Sequence, residues 1–270
     1  MKNHIKEYMV HCNNLIENIH FFNVDSTFCF DTESCFVSEE IKQMYEKKEK
    51  TKHKGDAVRV YAWALSNTTN DYVLYGETLD QFFDSIETIL YSRVNLNQKM
   101  SESKVKQIRK HLKMRIFVHN LAWDIEFMKY HLLRNGYDYY NSKVKDGKKV
   151  IERHSPHSFN ITENENIVYG ANVNFKEKIL KYTKKIKGEF FKVSEEVFPD
   201  IEFLDSYKIM PNKLDTIGKK VITIDEKFHK LSDTYDYDAI RPKGHKLTEL
   251  ERMYLYNDVY ILKEFFSTVL

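Results

Sequence analysis

The chain has 270 residues, of which 42% are hydrophobic and 14% aromatic, with only 8 Gly and 4 Pro. This composition excludes global intrinsic disorder, and the length suits a single domain with one substantial core. The 42 Lys and Arg nearly balance the 40 Asp and Glu, so the formal net charge of +2 gives no bulk attraction to nucleic acid, and any basic surface must be local.

The cysteines and the apolar runs bear on the cellular compartment. The chain has three cysteines, Cys12, Cys29 and Cys35, and no two of them form a C-x-x-C motif. No stretch resembles a signal peptide or a membrane-spanning segment. We therefore expect a reducing cytoplasm, or the host cytoplasm for a viral or mobile-element protein, and no membrane partner.

The first part of the chain predicts one helix, one strand, a loop and a hairpin. Apolar residues at helical spacing predict an amphipathic leader helix within residues 1–24, and TFCFDTESCF, residues 27–36, follows as a strand. The densely charged stretch 39–56 predicts an exposed loop. AVRVYAWALS and DYVLYG predict a hairpin that completes a sheet with the first strand.

The remainder predicts a single domain over residues 25–270. TLDQFFDSIETIL predicts a helix, RIFVHN a strand, and LAWDIEFMKYHLLRNG a helix that ends at Gly136. Turn signals within β-like alternation predict β-ribbons inserted on the main sheet over about 140–200. IEFLDSYKIM predicts a strand, a short helix follows in NKLDTIGKK, and a capping box of Thr248 and Glu251 begins the terminal helix.

Two acids interrupt the apolar first strand. Alternate side chains of a strand share a face, so Asp31 and Glu33 point the same way, together with Cys29 and Cys35. Adjacent carboxylates repel each other and lose hydration, and a divalent cation offsets both costs. A lone D-x-E pair is also common on the solvent face of a strand, so a metal site requires further acids to converge.

Two later acids are candidates for that convergence. Asp124 lies at the start of a helix that directly follows a strand, where an acid is also an ordinary partner of the helix dipole. Asp258 follows Tyr254 by four residues on the terminal helix and shares its face, although an exposed position would serve solubility alone.

The order of these motifs is more specific than any one of them. D-x-E on a strand, N-x-x-x-D after a later strand and Y-x-x-x-D on a final helix resembles the DEDD 3′-to-5′ exonucleases, in the subclass with Tyr ahead of the last Asp. HNLAWDIEF, DSYKIMP and YLYND are similar to segments of the proofreading domain of protein-primed family B DNA polymerases. The resemblance covers most of residues 26–270 and implies a ribonuclease H-like (DnaQ-like) α/β fold, with a mixed central sheet flanked by helices.

The resemblance also implies a catalytic site. Two divalent metal ions, Mg²⁺ or Mn²⁺, would activate water and stabilise the displacement at phosphorus. Tyr254 would orient the attacking water, and Lys230 is the candidate for a lysine that assists electrostatically. The implied metal ligands are Asp31, Glu33, Asp124 and Asp258.

Further residues match positions at which the family contacts the primer end. Stacking on aromatic rings and hydrogen bonds to phosphate would hold a frayed single strand. Core packing is the competing interpretation for Trp123, and Tyr207 stands where the family often has Leu. The candidate DNA contacts are Ser34, His119, Asn120, Trp123, Ser206, Tyr207 and Tyr237.

The implied function is removal of nucleoside monophosphates from the 3′ end of single-stranded DNA, as the editing part of a replicative polymerase. A polymerase domain and a terminal priming protein are the implied partners. Two alternatives stay open: a free-standing nuclease that acts on RNA or host nucleic acid, and a non-catalytic docking module for a priming protein. The basic ribbon at 176–192 either grips phosphates or is a solvated hairpin, and His154 and His157 are turn residues rather than metal ligands.

Overall fold

The computed structural model describes residues 5–22, 27–46, 57–92, 103, 108, 112–140, 143–145, 148–150, 155–164, 167–186, 188–231 and 235–269. The strands are β1 Met9–His11, β2 Phe28–Phe36, β3 Val58–Asn67, β4 Val73–Gly76, β5 Lys113–Val118, β6 Asp138–Tyr139, β7 Lys143–Lys145, β8 Lys148–Val150, β9 Ser158–Asn164, β10 Ile167–Asn174, β11 Lys178–Ile186, β12 Glu189–Val197 and β13 Asp200–Asp205. The helices are α1 Leu15–Asn18, α2 Glu39–Glu46, α3 Leu79–Ser92, α4 Leu121–Arg134, α5 Leu214–Thr216 and α6 Glu249–Val269.

A nine-stranded mixed sheet forms the centre, in the order β1-β4-β3-β2-β5-β13-β10-β9-β6. β2 pairs antiparallel with β3, which pairs antiparallel with β4, so the predicted hairpin beside the first strand is confirmed. On its other side β2 pairs parallel with β5, and β5 pairs parallel with β13. The three strands β2, β5 and β13 therefore point their carboxyl ends toward one edge of the sheet.

The strict alternation of β2 divides its side chains between two layers of helix. Phe28 and Phe30 are fully buried in the core that contains α3 and α4, whereas Cys29 and Cys35 belong to the cores formed with α6. A sheet covered on both faces by helices accounts for the apolar character of its central strands. Asp31 and Glu33, which share the face of the two cysteines, therefore point toward α6.

Helix α6 begins, and helix α4 ends, as the sequence predicts. The Thr248 and Glu251 capping box forms, since Glu251 N–H donates to Thr248 Oγ1 at 3.2 Å and Thr248 N–H donates to Glu251 Oε2 at 2.8 Å. α4 is followed by Gly136 with φ of 76°, a left-handed conformation that favours glycine. No helix among the described residues is both long and apolar enough to cross a membrane.

The predicted leader helix is wrong. β1 pairs parallel with β4, with Met9 opposite Val73, and the described residues before β2 that are helical are Ile5 and Lys6, α1 and two short 3₁₀ turns. The open edge of the sheet offers backbone hydrogen bonds, such as Val73 N–H to Tyr8 O at 2.8 Å, and these outweigh the weak helical periodicity. Ile16, one of the predicted apolar positions, is 80% exposed.

The prediction of an exposed loop over residues 39–56 needs correction. The charged stretch after β2 begins with helix α2, in which Ile41 N–H donates to Ser38 Oγ at 3.2 Å and Glu39 and Glu40 occupy the first turn, where acids complement the helix dipole. Residues 47–56 lie outside the described residues.

The predicted ribbons of the middle region separate into two kinds. β9 and β10 extend the main sheet, because β10 pairs with β13, whereas β11 with β12 and β7 with β8 form separate two-stranded ribbons. Of the two predicted turn histidines, His157 has φ of 55°, and His154 lies outside the described residues.

Candidate active site

A cleft with a volume of about 830 Å³ opens beside the carboxyl ends of the parallel strands. Val118 ends β5 and pairs with Phe30 of β2, so Asp31 is the first residue of β2 beyond this pairing. Ligands of sheets with parallel strands bind at such carboxyl ends. The cleft is lined by Asp31, Thr32, Glu33, His119, Asn120, Tyr207, Lys213, Leu214, Asp215, Lys230 and Asp258.

Three carboxylates from two elements converge in this cleft. Asp31 and Glu33 of β2 and Asp258 of α6 each offer an oxygen atom, and these atoms lie within 4.8 Å of one another. A register shift between Glu33 and Ser34, a β-bulge, lies directly at this point of the β2–β3 pairing. Bulges beside active sites redirect side chains, and in this one the extra residue is Tyr61 of β3, so the alternation of β2 continues through Cys35.

Burial and mutual repulsion perturb these acids strongly. Burial, followed by the charges of Asp258 and Asp124, raises the pKa of Asp31 well above its ordinary range. Burial, followed by the charges of Asp31 and Asp258, raises the pKa of Glu33 in the same direction. Asp258 is 1% exposed, and its Oδ1 atom is buried without a hydrogen-bond partner among the described residues. A hard divalent cation, which prefers oxygen ligands, fits this arrangement of unpartnered and repelling carboxylates.

Asp124 lies beside this trio rather than within it. It occupies the first turn of α4, is 3% exposed and accepts a hydrogen bond from the Thr32 hydroxyl. Burial raises the pKa of Asp124 to about 7, against the opposing effect of the Thr32 bond. The sequence analysis missed Thr32, although strand alternation places it on the face toward α4, opposite to Asp31 and Glu33.

Lys230, the candidate for an assisting lysine, lines the same cleft. Its Nζ donates to Asp258 Oδ2 at 2.6 Å. Burial lowers the pKa of Lys230, but the charges of Asp258 and Asp31 outweigh burial and hold it above its ordinary value, so the side chain stays positively charged. The amide of Asn257, a fully buried residue missed in the sequence, donates to His229 O at 2.8 Å and fixes the segment that carries Lys230 against α6.

Tyr254 lies one helical turn before Asp258 and is 1% exposed. Its hydroxyl is 2.7 Å from the hydroxyl of Tyr237, a half-exposed residue, and its ring stacks on Tyr235 at a centroid distance of 4.0 Å. Burial and the charges of Asp258 and Glu33 raise the pKa of Tyr254 far above its ordinary value. The hydroxyl is therefore a neutral hydrogen-bonding group, suited to positioning a ligand.

Four of the predicted DNA contacts lie together on the opposite side of the cleft. His119 Nδ1 and Ser206 Oγ are 3.0 Å apart, and burial lowers the pKa of His119. Asn120 adopts a left-handed conformation with φ of 64°, and Tyr207, 39% exposed, lines the cleft. Asp205, missed in the sequence, joins the two turns because its Oδ1 accepts from the backbone N–H groups of Asn120 and Tyr207 at 3.1 and 3.0 Å.

Four predicted contacts are absent from the described lining of the cleft: Ser206 and Tyr237, which contact His119 and Tyr254, and Ser34 and Trp123. Ser34 lies on the far side of the β-bulge, opposite Val60. Trp123 is 39% exposed, so the alternative of core packing is wrong, and its ring contacts Phe127 edge-on at a centroid distance of 5.8 Å. Its exposed face points away from the core at the start of α4.

Comparison with known proteins relates the chain to one group of solved structures. No protein-family model matches the chain, and no curated protein sequence matches it. The fold is similar to that of phi29 DNA polymerase complexed with single-stranded DNA, with a TM-score of 0.57 and 18% identity over 90% of this chain and 31% of that chain. For phi29 DNA polymerase complexed with primer-template DNA and incoming nucleotide substrates, the TM-score is 0.56 and the identity 19%, over 90% of this chain and 30% of that chain. The chain thus shares its fold with part of these polymerases and spans less than a third of their length.

Proposed function

We propose that the chain is a metal-dependent 3′-to-5′ exonuclease that removes nucleoside monophosphates from single-stranded DNA. The observation that carries the proposal is the convergence of Asp31, Glu33 and Asp258 within 4.8 Å, in a cleft at the carboxyl ends of parallel strands. The order of the sequence motifs and the similarity to a polymerase solved with single-stranded DNA support it. The proposal includes the ribonuclease H-like fold and the Tyr subclass of DEDD exonucleases.

The four acids would hold two divalent cations, Mg²⁺ or Mn²⁺. The unpartnered Oδ1 of Asp258 and the raised pKa values of Asp31 and Glu33 are features that bound cations would relieve. When bound, two such cations supply an activated water and charge stabilisation on both sides of the phosphorus. Asp124, held by Thr32, completes the set from the α4 side.

The remaining polar residues would bind and orient the substrate. Lys230 keeps a positive charge beside Asp258 and would stabilise negative charge on the reacting phosphate. Tyr254, neutral and fixed by Tyr237, would orient the attacking water. The residues that would hold the terminal nucleotides are Ser34, His119, Asn120, Trp123, Ser206, Tyr207 and Tyr237.

We further propose that this activity edits the product of a DNA polymerase. Support comes from the fold that the chain shares with about 30% of the phi29 DNA polymerase chain. A polymerase domain would then deliver frayed 3′ ends to the cleft, and a terminal priming protein would be a second partner.

Digestion of single-stranded DNA labelled at its 5′ end tests the proposal. Shortening from the 3′ end with Mg²⁺ or Mn²⁺, and none with EDTA, is expected. The double variant Asp31→Asn/Glu33→Gln should abolish shortening, while the matched control Glu39→Gln/Glu40→Gln, at exposed acids of α2, should retain it. Failure to shorten with either metal, or full activity of the first double variant, refutes the enzyme. Faster digestion of RNA of the same sequence would assign a ribonuclease instead.

A further inference from the structure

A second groove lies on the other face of the sheet and shares none of its described lining with the candidate active site. Its volume is about 660 Å³, and its walls are the later turns of α4, the start of α3 and the start of β3. The lining residues that bear on its chemistry are Arg59, Asp80, Tyr130, His131, Arg134 and Lys243.

The groove concentrates positive charge that the described residues leave uncompensated. Arg59, Arg134 and Lys243 all line it, and none of them forms an ion pair with a described residue. The Nη2 atom of Arg59 is buried without an acceptor. Among the described lining residues one is acidic, Asp80, and it lies 3.6 Å from the ring nitrogen of His131. This excess of positive over negative side chains in the groove favours an anionic ligand.

An aromatic surface accompanies these charges. Tyr130 lines the groove and is 42% exposed, so part of its ring is accessible to a ligand. The guanidinium of Arg134 lies over this ring, 5.6 Å from its centroid. Cations around an exposed ring are typical of surfaces that bind single-stranded nucleic acid, where bases stack and phosphates pair with Arg and Lys. An acidic peptide would use the charges but would leave the ring uncovered.

Helix α4 connects this groove to the candidate active site. Asp124 lies in its first turn and Arg134 at its end, ten residues further along, which corresponds to about 15 Å at 1.5 Å per residue. A strand at the stacked spacing of about 3.4 Å covers this distance in about four nucleotides. Phe127, three residues after Asp124 on α4, also lines the groove, and its ring contacts that of the exposed Trp123.

We propose that this groove binds single-stranded nucleic acid upstream of the 3′ end, with phosphates on Arg59, Arg134 and Lys243 and a base on Tyr130. The placement of the 3′ end rests on the proposed exonuclease function, whereas binding of the strand in the groove does not. The groove would raise affinity for strands long enough to reach it and leave shorter ones unaffected.

Equilibrium binding of oligothymidylates to the full chain in EDTA, where no turnover occurs, tests the inference. Fluorescence anisotropy would compare a strand of about three nucleotides with one of about ten, over a range of salt concentrations. The variant is Arg134→Gln/Lys243→Gln, since both side chains are exposed and the fold does not depend on them. The matched control is Lys246→Gln, an exposed lysine of the same loop that does not line the groove.

The double variant should weaken binding of the longer strand about tenfold and reduce the slope of log K against log salt by about 1.4, at about 0.7 for each lost phosphate contact. Binding of the short strand, and all binding by the control, should stay unchanged. Equal losses for both strand lengths, or none, would overturn the inference, as would displacement of the longer strand by polyglutamate at equal charge concentration.

The same variants separate this inference from the proposed function. If the unmodified chain shortens no DNA but shows the length-dependent binding, the exonuclease proposal fails and the groove assignment stands. If DNA is digested normally and the double variant binds both strands like the unmodified chain, the groove assignment fails and the exonuclease proposal stands.

Discussion

Replacing Asp124 by Asn should stabilise the metal-free protein by an amount that depends on pH. Asp124 is 3% exposed in the first turn of α4, and burial raises its pKa from 3.8 to about 7. Asn is nearly isosteric, stays neutral and can still accept the Thr32 hydrogen bond. The substitution therefore removes one buried ionisation and leaves the packing in place.

The sign follows from the direction of the pKa change. Because the folded protein binds the Asp124 proton more tightly than the unfolded chain, its free energy of unfolding falls as pH rises from about 4 to about 7. The difference of about three pH units corresponds to about 4 kcal/mol, at about 1.4 kcal/mol for each unit. The Asn variant should match the unmodified protein near pH 4 and exceed its free energy of unfolding by up to about 4 kcal/mol near pH 8.

Urea unfolding in EDTA at a series of pH values measures this difference. Subtracting the two proteins cancels the titrating groups that do not interact with Asp124, whereas Asp31 and Glu33 add to the difference because the charge of Asp124 raises their pKa values. Asp238→Asn, at a side chain that is 82% exposed, is the matched control. At pH 8, Mg²⁺ or Mn²⁺ at a hundred times its dissociation constant should stabilise the unmodified protein by about 2.7 kcal/mol, and should stabilise the Asn variant, which keeps three of the four acids, by less. A difference between the two proteins that is constant across pH would refute the assignment of Asp124 as a buried, perturbed acid.

Three further substitutions probe other residues of the site and its support. Lys230→Gln should lower exonuclease kcat about a hundredfold, because the charge beside the reacting phosphate is lost, and an unchanged kcat would exclude that role. Tyr254→Phe should lower kcat about a hundredfold with KM unchanged. Tyr237→Phe should lower kcat less, because the Tyr237 hydroxyl acts through Tyr254. A larger effect of Tyr237→Phe would contradict the role assigned to Tyr254. Glu251→Gln should reduce the free energy of unfolding by about 3 kcal/mol, since it leaves the buried Arg241 without its counter-charge. Urea unfolding measures this loss, and an unchanged free energy of unfolding would contradict the prediction.

The central strand could be predicted because local rules decide it, whereas the convergence of acids is implied by the resemblance of the motif order to a known family. The period of two in β2 fixes which side chains point toward α6, and the structure places Asp31 and Glu33 on that face with Cys29 and Cys35. The capping box at the start of α6 fixes that helix, and hence the face that carries Asp258.

The features that could not be predicted depend on tertiary contacts. The leader segment has helical periodicity, but the free edge of β4 is present only once the sheet has formed, and β1 pairs with it. Lys230 reaches Asp258 because Asn257 anchors the intervening loop, a contact between residues 28 positions apart that no local pattern encodes. Thr32 and Asp205 act by holding other residues, and the sequence gives no motif for such support.

Several departures from ordinary folding rules adjoin the candidate active site, although others, such as the positive φ of Thr223, lie elsewhere among the described residues. Acids inside an apolar strand, a buried carboxylate oxygen on Asp258 without a partner, and a non-glycine residue, Asn120, in the left-handed conformation all adjoin the same cleft. Each is destabilising alone, by the cost of burying charge or of an unfavourable backbone. A chain selected for stability alone would scatter or remove such defects, whereas a binding site for cations and phosphates requires them together. The convergence of three acids with an unpartnered carboxylate oxygen in this cleft is therefore structural evidence for a functional site, in addition to the sequence motifs.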